Sequence, residues 1–128
     1  MNTIITLTIL VATWYGGVKY EHQPLYCGGT YNPASAWVAL PVELYESGDA
    51  RCGDLVVVWF SDVNELLVAP ALDTGAFGDN CVVEGDGCVP IAVDVPRHLW
   101  PAELEGTLSA RVQVMNITAQ CRAWGICE

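Results

Sequence analysis

The sequence predicts an all-β domain, a barrel or a sandwich of short strands stapled by disulfides. Three observations carry this. Short apolar, β-branched runs recur along the chain with Gly- or Pro-bearing turns between them. Six cysteines occur in 128 residues with no CxxC pair. No heptad, long amphipathic helical period or internal repeat interrupts the pattern. With no low-complexity linker either, residues 1–128 form a single domain.

Ile4–Tyr15 reads as the first strand. Its apolar start has the length of a signal h-region, but no Lys or Arg precedes Lys19, and it runs directly into Thr13-Trp14-Tyr15. Residues 1–12 are therefore taken as part of a strand, with a degenerate signal segment as the second reading. The run is too short to cross a bilayer as a helix. Gly16-Gly17 breaks the strand, and residues 18–32 read as a loop rich in Tyr and Gly. Ala36–Leu40 is a short apolar run stopped by Pro41, Val42–Tyr45 a further short strand, and Glu46–Ala50 a turn.

Leu55–Phe60 (LVVVWF) is continuous and β-branched, as in a strand buried on both faces or closed into a barrel. Leu66–Leu72 returns beside it as a hairpin. Residues 74–87 read as a loop, Val89–Val95 as a strand, and Pro96–Glu103 as one short helical turn. Thr107–Met115 alternates, with Leu108, Ala110, Val112 and Val114 on one face. Residues 116–128 form a tail cross-linked by its own cysteines.

Fifteen acidic against five basic side chains give a net charge of -10. That excludes nucleic acid as a partner, because phosphates demand clustered Lys and Arg, and it disfavours an anionic membrane surface. Neutral polymers and protein partners stay open. The hydrophobic fraction of 52% excludes disorder. Without metal spacing, the cysteines read as disulfides. Cys81–Cys88 and Cys121–Cys127 are taken as local staples, leaving Cys27–Cys52. Such bridges imply an oxidising compartment, or a particle that ends up outside the cell.

Neither His22 nor His98 belongs to a metal or nucleophile pattern, and no phosphate-binding or hydrolase motif occurs. No metal or cofactor is expected. Asp79, Glu84 and Asp86 match no calcium loop. They read, with Asp49, Asp54 and Asp62, as solvated turn residues. Asn116-Ile117-Thr118 fits a glycosylation acceptor.

Five segments, in order, resemble expansins and rare lipoprotein A proteins. Ala12-Thr13-Trp14-Tyr15-Gly16-Gly17 resembles the opening strand of both families. Cys52-Gly53-Asp54-Leu55-Val56-Val57-Val58 resembles the expansin strand that begins with a cysteine-glycine pair. Leu72-Asp73-Thr74-Gly75-Ala76-Phe77 is similar to the aspartate-bearing turn of rare lipoprotein A. Ile91-Ala92-Val93-Asp94-Val95 and Ala110-Arg111-Val112-Gln113-Val114 resemble the two following strands. The resemblance implies a six-stranded double-psi β-barrel with one short helical turn, and a shallow groove for an extended glycan with acidic residues at its centre.

By the same resemblance Asp73 is the catalytic aspartate, a general acid that needs a raised pKa. The plain alternative is an Asx turn over Thr74-Gly75. Asp94 lies in an apolar strand and would face the groove near Asp73, or cap the turn that starts at Pro96. Thr13 and Tyr15 share one side of their strand and would line the groove as substrate-binding residues, or serve as strand filler and packing. Trp37 stands where rare lipoprotein A carries a histidine. A tryptophan cannot shuttle protons, which removes the aspartate's partner for lytic transglycosylase chemistry. It can stack on a sugar or fill the core.

The function these residues imply is binding of a cell-wall polysaccharide, peptidoglycan or plant-type, outside the cell or in its envelope. Non-hydrolytic loosening or weak glycan cleavage would be the action. Two alternatives use the same barrel without catalysis: a structural subunit of a virion or extracellular assembly, and a secreted inhibitor or effector. The separation of Asp73 from Asp94, and their access to one face, discriminates among them.

Overall fold

A computed structural model of the chain describes residues 10–15, 24–30, 35–74, 81–84 and 87–127, residues 81–84 by backbone only. The start of the first strand, the Gly16-Gly17 turn, His22, residues 75–80, Asp86 and the side chains of Cys81 and Glu84 lie outside the described residues, and so does the expected Cys81–Cys88 bridge.

The strands are β1 (Leu10–Tyr15), β2 (Val38–Ala39), β3 (Leu55–Phe60), β4 (Glu65–Asp73), β5 (Cys81–Glu84), β6 (Gly87–Pro96) and β7 (Ser109–Asn116). Neighbours run in the order β1-β7-β3-β4-β2-β6, and β6 pairs back onto β1, which closes a barrel of six strands. β5 hangs on the outer end of β6 as a hairpin, inside the stretch expected to be a loop. The β1–β6 and β2–β4 pairs are parallel and the others antiparallel. Exchanging β1, β2 and β3 with β4, β6 and β7 leaves both the neighbour order and the parallel pairs unchanged. In strand order and direction the barrel thus has two matching halves.

The interior is filled by alternate residues of each strand, as closure requires. Val56, Val58 and Phe60 of β3 point inward with Ala12, Ala69, Ala71, Val93, Val95 and Val112. The continuous apolar run of β3 thus has one buried face only, and Leu55 on the other is 45% exposed. The Trp100 ring meets Phe60 edge-on at 5.4 Å and covers one end of the core. Trp100 follows a 3-10 turn at Arg97–Leu99 and precedes another at Ala102–Leu104, where one helical turn was expected.

Three local expectations are corrected. Val42–Tyr45 is not a strand but the start of helix α1 (Val42–Ser47). Pro41 sets its entry, Gly48 closes it at a left-handed φ of 85°, and adjacent Leu44 and Tyr45 pack on the core while Glu43 and Glu46 face water. Leu108 precedes the last strand and is exposed, so the inward face of β7 starts at Ala110. The tail holds helix α2 (Ile117–Ala123), whose N-cap is Asn116, with the Asn116 Oδ1 accepting from Ala119 N at 2.9 Å.

Two disulfides are described, Cys27–Cys52 and Cys121–Cys127, as expected. No helix among the described residues is long and apolar enough to cross a membrane.

Candidate functional site

Two β-bulges decide which way the aspartates point. A bulge adds a residue to one strand and so changes the face that later side chains occupy. On β4, Ala71 pairs with Val38 and Asp73 with Ala39, so Leu72 is the extra residue. Ala71 faces the core, and the bulge turns Asp73 to the side that Ala39 presents. On β6, Val11 pairs with Ile91 and Ala12 with Val93, so Ala92 is the extra residue. Val93 and Val95 then point inward and Asp94 outward.

The result is a juxtaposition. Asp73 and Asp94 are the register partners of the same residue, Ala39, from its two sides. Two strand spacings put their Cα atoms roughly 10 Å apart, with only a methyl side chain between. Both are half-buried.

Each carboxylate has a built partner. Thr13 pairs with Asp94 across β1–β6, and its hydroxyl donates to Asp94 Oδ1 at 2.7 Å. Tyr26 N donates to Asp73 Oδ1 at 2.9 Å. Tyr26 is held there by its neighbour: Cys27 is bonded to Cys52, and Cys27 N donates to Leu72 O at 2.9 Å. The Tyr45 hydroxyl donates to the Asp73 carbonyl at 2.9 Å, and its ring packs 4.9 Å from that of Tyr26. Leu40 N also donates to that carbonyl. Burial and the Asp73 charge push the Tyr45 phenol well above its ordinary range.

Burial pushes the Asp94 carboxyl up to about 6 and Asp73's charge adds to the rise, while the Thr13 hydroxyl opposes it. Asp94 therefore keeps its proton below about pH 6 and is ionised above it. A raised carboxyl pKa stabilises the fold only while protonated. That contribution is complete below about pH 4 and is lost as pH rises through about 6. Asp94→Asn, which keeps an acceptor for Thr13, should therefore stabilise the domain at pH 7 by on the order of 1–3 kcal/mol and not at pH 4. Urea midpoints of both proteins from pH 4 to 7 check this, and an equal gain at every pH would contradict it.

The other expected site residues fall differently. Asp94 does not cap the turn after Pro96, because its described bond is to Thr13. Trp37 is 1% exposed, packed with Ala39 and the Tyr15 ring at 5.0 Å, so it offers no face to a sugar. Its neighbours explain this: Val38 and Leu40 point into the barrel, and Trp37 covers the outside of the same strand. Tyr15 packs on Trp37 instead of standing in the open, and Thr13's hydroxyl is engaged by Asp94.

Sequence reasoning missed Tyr26 and Tyr45, which hold Asp73 through a backbone amide and a backbone carbonyl. No residue pattern marks such bonds. It also misplaced Asp54, which is 3% exposed and not a solvated turn residue. Asp54 is bound by both guanidinium arms of Arg122 at 2.6 and 2.7 Å, by the Asn116 amide at 3.0 Å and by Arg51 N at 2.9 Å. These donors overcome its burial and hold its pKa down at about 2. The Asn116 amide is thus spent inside the fold.

A concavity of about 410 Å³ opens near α1, lined by Leu40, Leu44, Val56, Ala92, Val114 and Asn116. It includes neither Asp73 nor Asp94. No group of three or more His, Cys, Asp or Glu placed to hold a metal occurs among the described residues. No protein-family model matches this chain, and no curated protein is similar to it.

Proposed function

We propose that this chain is a double-psi β-barrel domain of the expansin and rare lipoprotein A type that binds a cell-wall polysaccharide outside the cell. The single observation that carries this reading is the placing of Asp73 and Asp94 on either side of Ala39. Paired carboxyls flanking a small side chain suit an extended sugar chain, whose hydroxyls donate to one while the other holds a proton. The exchange symmetry of the strand order supports the double-psi reading, since that fold repeats one motif twice. The disulfides support an oxidising location.

Binding is favoured over turnover. The place of the family histidine is taken by buried Trp37, so Asp73 lacks that partner, and loosening without hydrolysis is the action these residues fit best. A structural subunit of a virion or extracellular assembly is the second reading, favoured by the apolar outer face of β3, β4 and β7.

Retention on insoluble peptidoglycan and cellulose tests the proposal, comparing wild type with Asp73→Asn. Wild type should be retained on one of them, and the variant should bind at least about tenfold more weakly with its disulfides and fold intact. Failure of wild type to bind either polymer removes the reading. Equal retention of both proteins removes Asp73 from the site.

A further inference from the structure

We propose that the outer face of β4, β3 and β7 is an interface through which two copies of this chain associate. Register partners across a sheet share a face, so the outward residues form a grid. Trp59 lies between Leu66 and Gln113, Val57 between Val68 and Met115, and Leu55 beside Pro70. Of these eight positions only Gln113 is polar. Leu66 is 69% exposed, Met115 58%, Val68 52% and Leu55 45%. At the Leu55 end, where Leu55 N donates to Thr118 Oγ1, α2 leaves β7 and adds exposed Ile117. Trp124 and Ile126 beyond it are also exposed.

Area and charge identify the occupant. The sheet residues and Ile117 leave on the order of 600 Å² of apolar surface in water. That is at the upper end of the patches monomers show, and two such faces together reach the lower bound of about 1,200 Å² for a specific interface. A chain with net charge -10 repels its own copies except through a face free of carboxylates. No Asp or Glu stands in this grid, so two copies can meet here without opposing like charges. The barrel is closed, so association proceeds face to face at the usual sheet spacing of about 10 Å, not by strand addition.

This interface shares β4 with Asp73, which stands at the opposite end of that strand from Leu66, and it does not rest on the polysaccharide reading. Sedimentation equilibrium from micromolar to several hundred micromolar protein tests it. Wild type should shift from 13.8 kDa to twice that mass, and the shift should persist or move to lower protein concentration as NaCl is raised. Leu66→Glu combined with Met115→Glu should stay at the single-chain mass throughout, with thermal unfolding close to wild type because both sites are exposed. Its retention on polysaccharide should match wild type, which separates this test from that of the aspartates. A wild type that stays single at the highest concentration, a variant that still doubles, or a dimer dispersed by salt would each overturn the proposal.

Discussion

Arg122→Ala should cost the domain about 3–5 kcal/mol at neutral pH, the largest loss expected of any single substitution here. The guanidinium is the only charged partner described for Asp54, which lies 3% exposed at the start of β3. Removing it leaves a buried carboxylate with only the Asn116 amide and Arg51 N. It also unties α2 from the barrel wall, since Arg122 is the helix's ionic contact to that wall.

The pH dependence follows from the sign of the shift. Asp54's pKa is lowered to about 2, so its pairing stabilises the fold above about pH 4 and is lost as pH falls toward 2. Over that window wild type should lose about 2–3 kcal/mol to this group, and the gap between wild type and Arg122→Ala should narrow. Urea unfolding at pH 7, 4 and 2.5 measures both. A variant as stable as wild type at pH 7 would show that the pair contributes nothing.

Replacing Cys27 and Cys52 together by Ser should cost about 3–4 kcal/mol from the loop entropy of the 25-residue separation alone. The Cys121–Cys127 bridge closes a separation of only 6 residues, and its removal should cost about 2 kcal/mol. The first bridge has a second consequence. Cys27 sits next to Tyr26, whose amide holds Asp73 Oδ1, and Cys52 adjoins Gly53, whose left-handed φ of 90° turns the chain so that its amide meets Ala71 O. Cutting the bridge frees the segment that orients Asp73. On the proposed polysaccharide reading, the double Ser variant should therefore bind more weakly than the Cys121/Cys127 variant, even where both are fully folded. Denaturation curves and retention assays on the two variants check this, and equal losses in both would contradict it.

Strands were legible wherever burial alternated or β-branched residues ran together, which covers β3, β4, β6 and β7. The differences of one or two residues at the ends of β4, β6 and β7 reflect turns that any polar residue can begin. Helix α1 was not legible because VELYES is too short to show a helical period, and its signals, Pro41 and Gly48, also bound turns. β5 was hidden in a glycine-rich stretch that reads as loop.

The candidate site was half legible. Resemblance singled out Asp73 and Asp94, but their convergence on Ala39 depends on Leu72 and Ala92 being bulge residues. A bulge leaves no trace in an apolar run, where either parity looks buried. Trp37's burial on the outside of β2 has the same origin: an isolated Trp beside a two-residue strand carries no period to assign its face. Asp54 looked solvated because it follows Gly in a turn. Its partner Arg122 is 68 residues away, and nothing local announces a buried pair.

The most direct measurement is a titration of the aspartate side-chain carboxyl carbons by NMR between pH 3 and 8. With the two carboxyls facing each other across Ala39, Asp94 should titrate near 6 and move lower in Asp73→Asn, where the neighbouring charge is gone. An Asp94 that titrates in the ordinary range near 4, with the same midpoint in both proteins, would show that the two side chains do not share a face.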